Sequence, residues 1–193
     1  MLLMILGLIL FLGVHSSRIV APAARARFIA ERGEGTWKGL YTVASIIGFV
    51  ILVWGYGQAR MTAPILYTPP VWMSHITLLL MIPAMILLVA SQGPAGRIKA
   101  AVQHPMLLAV KIWALSHLLA NGDLASLILF LAFLAWAVAD RISEKKRLRA
   151  GITKPVVAVS PRADVIAVVG GLVLYALFVW RLHLWLIGVA PIG

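Results

Sequence analysis

Six apolar runs organise this chain, at 2–14, 40–56, 71–90, 105–120, 124–139 and 165–189, and charged residues gather in the connections between them. A helix needs about 20 apolar residues to cross a hydrocarbon core ~30 Å thick, so these runs predict an all-α, polytopic transmembrane bundle of about six spans. Five is the alternative count, because Arg181 and His183 either interrupt the last run or leave it finished at Trp180. Boundary residues support the second, third and sixth runs. Trp37 and Trp54, Trp72 after Pro69-Pro70, and Trp180 with Trp185 all suit the interfacial belt of a bilayer. Asn121-Gly122-Asp123 joins the fourth run to the fifth, which predicts a tight turn between antiparallel neighbours.

Composition agrees with that pattern. With 62% hydrophobic and 12% charged residues and a mean hydropathy of +1.00, the chain cannot spread its apolar side chains over a water-facing surface. Its 193 residues are expected to form a single domain, 1–193, with no room for a separate soluble one. Basic residues alternate between connections. Five lie from Arg18 to Lys38, Arg60 stands alone in the second connection, and seven fall between Arg141 and Arg162. By the positive-inside rule the first, third and fifth loops face the cytoplasm and both termini lie outside. The net charge of +11 follows from that bias, and its expected partners are anionic lipid headgroups, with no nucleic acid. Residues 2–14 have the length of a signal-peptide core but no basic residue ahead of them, so the expectation is a retained helix extended past His15 and Arg18.

Candidate chemistry centres on histidine. The sequence has no cysteine, which removes disulfides, iron–sulfur clusters, thiolate-ligated haem and covalent haem attachment. Ionisable groups within a span cost several kcal/mol, roughly 2.5–3.5 for a central Lys on insertion scales, so His117 and Lys111 in the fourth run need a purpose. Helix rise puts His15 ~10 Å, His117 ~18 Å and His75 ~25 Å from the cytoplasmic boundary, with His104 near it. The first two are the deepest-set candidates for axial ligands of a b-type haem between the first and fourth helices; His104 and His75 are alternates. Arg18, with Arg25 or Lys38, is placed to pair with haem propionates. Simpler roles stand beside these. A His inside a span often hydrogen-bonds a neighbouring helix, Lys111 can pair with Asp123 or Asp140, and Asn121 and Asp123 can serve the turn alone.

Several segments together resemble one family. GLILFLGVHSSR (7–18), WKGLYTVAS (37–45), GYGQAR (55–60), PPVWMSH (69–75) and HPMLLAVKIWALSHLLANGDLASLILFLAFLAWA (104–137) are similar, in order, to the NnrU family of bacterial membrane proteins. The resemblance is strongest over 1–140. It implies a protein of the bacterial inner membrane associated with denitrification, and so with nitrite and nitric oxide reduction. The family is related to 15-cis-zeta-carotene isomerase, a membrane enzyme that uses haem b held by histidines. By that resemblance His15 and His117 match the haem-ligand positions, with His104 and His75 at other characteristic positions; His183 belongs to no recognised motif.

A shared scaffold does not carry its chemistry with it. The favoured expectation is a haem-binding membrane protein of nitrogen-oxide metabolism, with nitric oxide and denitrification proteins as partners. A haem-dependent isomerase acting on a polyene lipid is the enzymatic alternative. A transporter or assembly factor, with Lys111 and the histidines along a polar path, is the non-enzymatic one.

Overall fold

Helices begin where the apolar runs begin at Leu2, Val71, Pro105 and Leu124. In the computed structural model, which describes residues 1–192, ten α-helices and one π-helical turn succeed one another. They are α1 (Leu2–His15), α2 (Ser17–Val20), α3 (Pro22–Arg32), α4 (Glu34–Thr62), α5 (Val71–Gln92), α6 (Arg97–Val102), α7 (Pro105–Ala120), α8 (Leu124–Arg149), α9 (Pro161–Leu177) and α10 (His183–Ile187), the π-helical turn Phe178–Leu182 joining the last two. Pro22, Pro105 and Pro161 each stand in the first turn of their helix, where a missing N–H costs nothing. Among the described residues there is no strand, only an isolated antiparallel bridge between Ile65 and Asp123.

The all-α expectation holds, and four helices are long and apolar enough to cross a membrane: Glu34–Thr62, Val71–Gln92, Leu124–Arg149 and Pro161–Ile187. The other two expected spans are the shorter apolar helices α1 and α7, of 14 and 16 residues. At 1.5 Å per residue these reach roughly 21 and 24 Å, less than the ~30 Å core. The extension expected beyond His15 is broken at Ser16, then resumes for the four residues of α2.

The outer surface argues for lipid more directly than length does. Helix α4 buries Gly48, Leu52, Gly55 and Ala59, a single stripe at helical spacing. Its remaining faces expose Val43, Ile46, Phe49, Val50, Val53 and Trp54. A helix in water would place polar residues there, and hydrocarbon is the solvent that such a surface fits.

Two compact units divide the chain: Met1–Leu66 with Asp123–Ala132, and Tyr67–Gly122 with the chain from Phe133 onward. In the first, α1 packs against α4, and α3 also lies on α4. The crossing is backbone against backbone. A Cβ at Gly48 would stand 2.8 Å from the Phe11 nitrogen, and one at Gly7 or Gly55 would overlap the backbone of Leu52 or Met4. Residues 4, 7 and 11 thus meet 55, 52 and 48, an antiparallel pair held by close van der Waals approach. Asp123 caps α8 by accepting the Ser126 N–H at 2.9 Å, and the Leu124 N–H donates to the Pro64 carbonyl at 3.0 Å.

In the second unit α5 packs against both α7 and α9. Polar groups join the seam: Thr77 Oγ1 donates across it to the Ser116 carbonyl at 2.7 Å. On the α9 side, a Cβ at Gly171 would fall 2.5 Å from the Ile86 Cα. Asp164 accepts the backbone N–H groups of Arg97 at 2.8 Å and Ile98 at 3.0 Å, which fastens the first turn of α6 to α9. Tyr67 closes the end of α7. Its hydroxyl donates to the carbonyls of Leu118 and Asn121, its N–H donates to Gly122, and its own carbonyl lies where a Cβ at Gly122 would be. Gln103 adopts φ +64° between α6 and α7, and its side-chain amide holds the Val156 backbone by both N–H and carbonyl.

Candidate functional site

His15 ends α1, and the helix itself aims the ring. Its Nδ1 lies 2.7 Å from the Phe11 carbonyl, one turn back. A carbonyl only accepts, so Nδ1 carries the proton and the ring lone pair falls on Nε2. Aromatic rings flank it, Phe11 at 4.2 Å and Tyr41 of α4 at 5.2 Å between centroids. His15 is thus held within the first unit as a neutral imidazole would need to be held to donate to a metal.

Arg18 lies exposed on α2, just beyond the break at Ser16. Of the two cations proposed to act with it, Arg25 lies over the Trp37 ring at 5.6 Å, and Lys38 pairs with Glu34 at 3.0 Å. Phe28 meets Trp37 edge-on at 5.7 Å, so this cationic stretch is tied to an aromatic cluster in the first unit.

His117 repeats the arrangement of His15 on another helix. It sits in the last turn of α7, where its Nδ1 donates to the Trp113 carbonyl at 2.8 Å. The Trp113 ring lies 5.4 Å away, and Phe133 closes on Trp113 edge-on at 5.3 Å. Beside it, the fully buried Ser116 hydroxyl also donates to the Trp113 carbonyl, at 2.9 Å. Asn121 supports the same turn from outside, with its Nδ2 donating to the His117 carbonyl at 2.8 Å. Both Asn121 and Asp123 therefore serve the turn between α7 and α8.

Other candidates disperse. His75 is exposed in the first turn of α5, and His104 precedes Pro105 as the N-cap residue of α7. The charged neighbours that act on Lys111 include the cations Arg141 and Lys145. Among the described residues no group of three or more His, Cys, Asp or Glu is arranged to hold a bare metal ion. Haem iron asks for less, because the macrocycle supplies its equatorial ligands and the protein only axial ones.

One residue that sequence reasoning set aside joins the site. His183 lies 6.4 Å from His117 between ring centroids, with the planes 23° apart. Its Nδ1 donates to the Val189 carbonyl at 2.7 Å, brought back by Gly188 at φ +78°. The signal in the sequence was Arg181 and His183 inside an otherwise apolar run. The π-helical turn before His183 hid its direction, since the extra residue rotates everything after it relative to α9.

With this geometry in view, the comparisons with known proteins settle the kinship. A family model described as NnrU protein matches residues 3–191, nearly the whole chain. The chain belongs to the NnrU family. No curated protein and no solved structure matches it. Because the NnrU match runs to 191, it takes in the α9–α10 segment with His183, beyond the segments of 1–140 in which the resemblance is strongest.

Proposed function

We propose that this NnrU-family protein is a haem b-binding protein of the bacterial inner membrane, acting in nitrite and nitric oxide metabolism, and that His15 and His117, each within its own unit, are the imidazole donors it offers. The observation that carries the reading is the shared setting of these two rings. Each is bonded through Nδ1 to the carbonyl one turn back, which puts the lone pair on Nε2, and each lies among aromatic side chains. A bond of this kind from the far ring nitrogen accompanies metal-ligating histidines and raises the donor strength of Nε2. Taken singly, each ring therefore suits donation to a haem iron.

When bound, haem would supply a redox-active iron, which could take a small ligand such as nitric oxide where one histidine gives up its place. The chain's own contribution is narrower and chemical. The Phe11 and Trp113 carbonyls fix ring tautomer and direction, and aromatic side chains flank both rings. The role in nitrogen-oxide metabolism rests on the family.

Absorbance spectra of the detergent-purified protein, oxidised, dithionite-reduced and then exposed to nitric oxide, test this directly. The expected result is a Soret band that shifts on reduction and again with nitric oxide. His117→Ala is expected to lower haem per protein about tenfold or more, and His15→Ala to alter the spectrum. Colourless protein that takes up no added haemin, or equal haem and identical spectra in wild type and both variants, would sink the assignment.

A further inference from the structure

His183 has no place in the ligand pair just described, yet the fold goes to some length to aim it. Five residues of π-helix, Phe178–Leu182, separate it from the end of α9, and such π-helical insertions occur frequently at functional sites. Directly after α10 the chain turns at Gly188 in the left-handed region, a conformation that favours glycine, and this returns the Val189 carbonyl to the His183 Nδ1. The bond is of the same kind that fixes His15 and His117, but is made by a different route, since the acceptor lies six residues ahead instead of four behind. Three histidines thus carry the proton on Nδ1 against a carbonyl, and two of the three lie within the second unit.

The spacing of that pair is informative. Two imidazoles on opposite sides of one metal have ring centres roughly 6 Å apart, twice the sum of a ~2.0 Å metal–nitrogen bond and about 1.1 Å from nitrogen to ring centre. The His117 and His183 centroids are 6.4 Å apart and their planes nearly parallel. A loose aromatic pair also falls within the ~4.5–7 Å range of ring contacts. Each Nδ1 proton is met by a carbonyl of its own segment, through a helical turn at His117 and a left-handed turn at His183, which makes Nε2 the donor atom of both rings.

We propose that His117 and His183 form a two-imidazole metal site within the second unit, with His183 able to stand in place of His15 as the nitrogen donor beside His117. The inference rests on the haem reading for the identity of its metal, but not for the existence of the site. Without His15, the second unit still offers two imidazoles to one iron.

Low-temperature electron paramagnetic resonance of the purified, haem-bearing protein tests it. His15→Ala is expected to keep a six-coordinate, low-spin ferric signal, whereas His15→Ala/His183→Gln turns high-spin or loses the haem. A high-spin or haem-free His15→Ala, or a double variant indistinguishable from the single, overturns the proposal while leaving haem binding by the wild type intact. If the wild type carries no haem, the haem reading fails and the site is tested with Cu(II) alone. Stoichiometric Cu(II) with nitrogen hyperfine structure, lost in both His183→Gln and His117→Gln, supports it. No Cu(II) uptake, or uptake unchanged by His183→Gln, overturns it. Retention of the wild-type elution volume by the Gln variants in size-exclusion chromatography separates loss of a donor from loss of fold.

Discussion

Both units bury helix faces in an apolar setting, but they fasten them by different physics. In the first, α1 and α4 meet through glycine, with Gly7, Gly48 and Gly55 letting the backbones touch. In the second, α5 meets α7 across the Thr77–Ser116 hydrogen bond and α9 at Gly171, and Asp164 reaches over to hold α6. Lipid tails are as apolar as leucine, so no hydrophobic drive separates the helices from their solvent, and either close packing or hydrogen bonding has to join them. The first unit follows one solution, and the second mixes both. The second also holds the His117–His183 pair, and a polar group placed in a membrane segment where packing would do is the mark of function.

The contrast is open to attack from the packing side first. Gly55→Leu is expected to cost the most, about 3 kcal/mol or more, because the new side chain meets the Met4 backbone, which cannot rotate away. Gly57→Leu, two residues on in open space, is the control, and thermal unfolding of the two in one detergent reads the difference. Next comes Asp164→Ala, which strips the acceptor from the Arg97 and Ile98 N–H groups and is expected to cost about 1–2 kcal/mol. Hydrogen exchange should rise at α6 while α1 and α4 stay protected. Smallest is Thr77→Val, expected near 0.6 kcal/mol, the usual worth of one interhelical hydrogen bond in a membrane protein. A loss of several kcal/mol there would mean that the second unit depends on its polar seam far more than its glycine contact suggests.

Much of this architecture is legible in the residues, and the exceptions have physical causes. Helix α7 occupies 105–120 as expected, because Pro105 and the Asn121-Gly122-Asp123 turn mark both its ends chemically. Helix α5 starts at Val71 after Pro69-Pro70 and overruns its apolar stretch by only Ser91 and Gln92. Hydropathy fails where helix continues through polar residues. Helix α4 begins at Glu34, six residues before its apolar run, where Lys38 and Glu34 pair one turn apart. Helix α8 likewise runs on through the basic residues to Arg149. Of the candidate site, the Nδ1 bonds of His15 and His117 follow from helical geometry at a helix end, so those rings were readable. The approach of His183 depends on a π-helical turn, and a hydrophobic period of 3.6 residues has no means of announcing a change in its own period.

Where Tyr67 clamps the end of α7, the molecule also dictates how it can be tagged. A short turn between two helices is the habitual place to insert a reporter for mapping which side of a membrane a loop faces. Here Gly122 lies against the Tyr67 carbonyl, and Asn121 and Leu118 give their carbonyls to the Tyr67 hydroxyl, so an insertion at that turn would pry the α7 end open. Gly151 stands in open space with φ +70° just beyond α8, bonded only to the helix end before it, so a reporter there reads sidedness at the expense of a local turn alone.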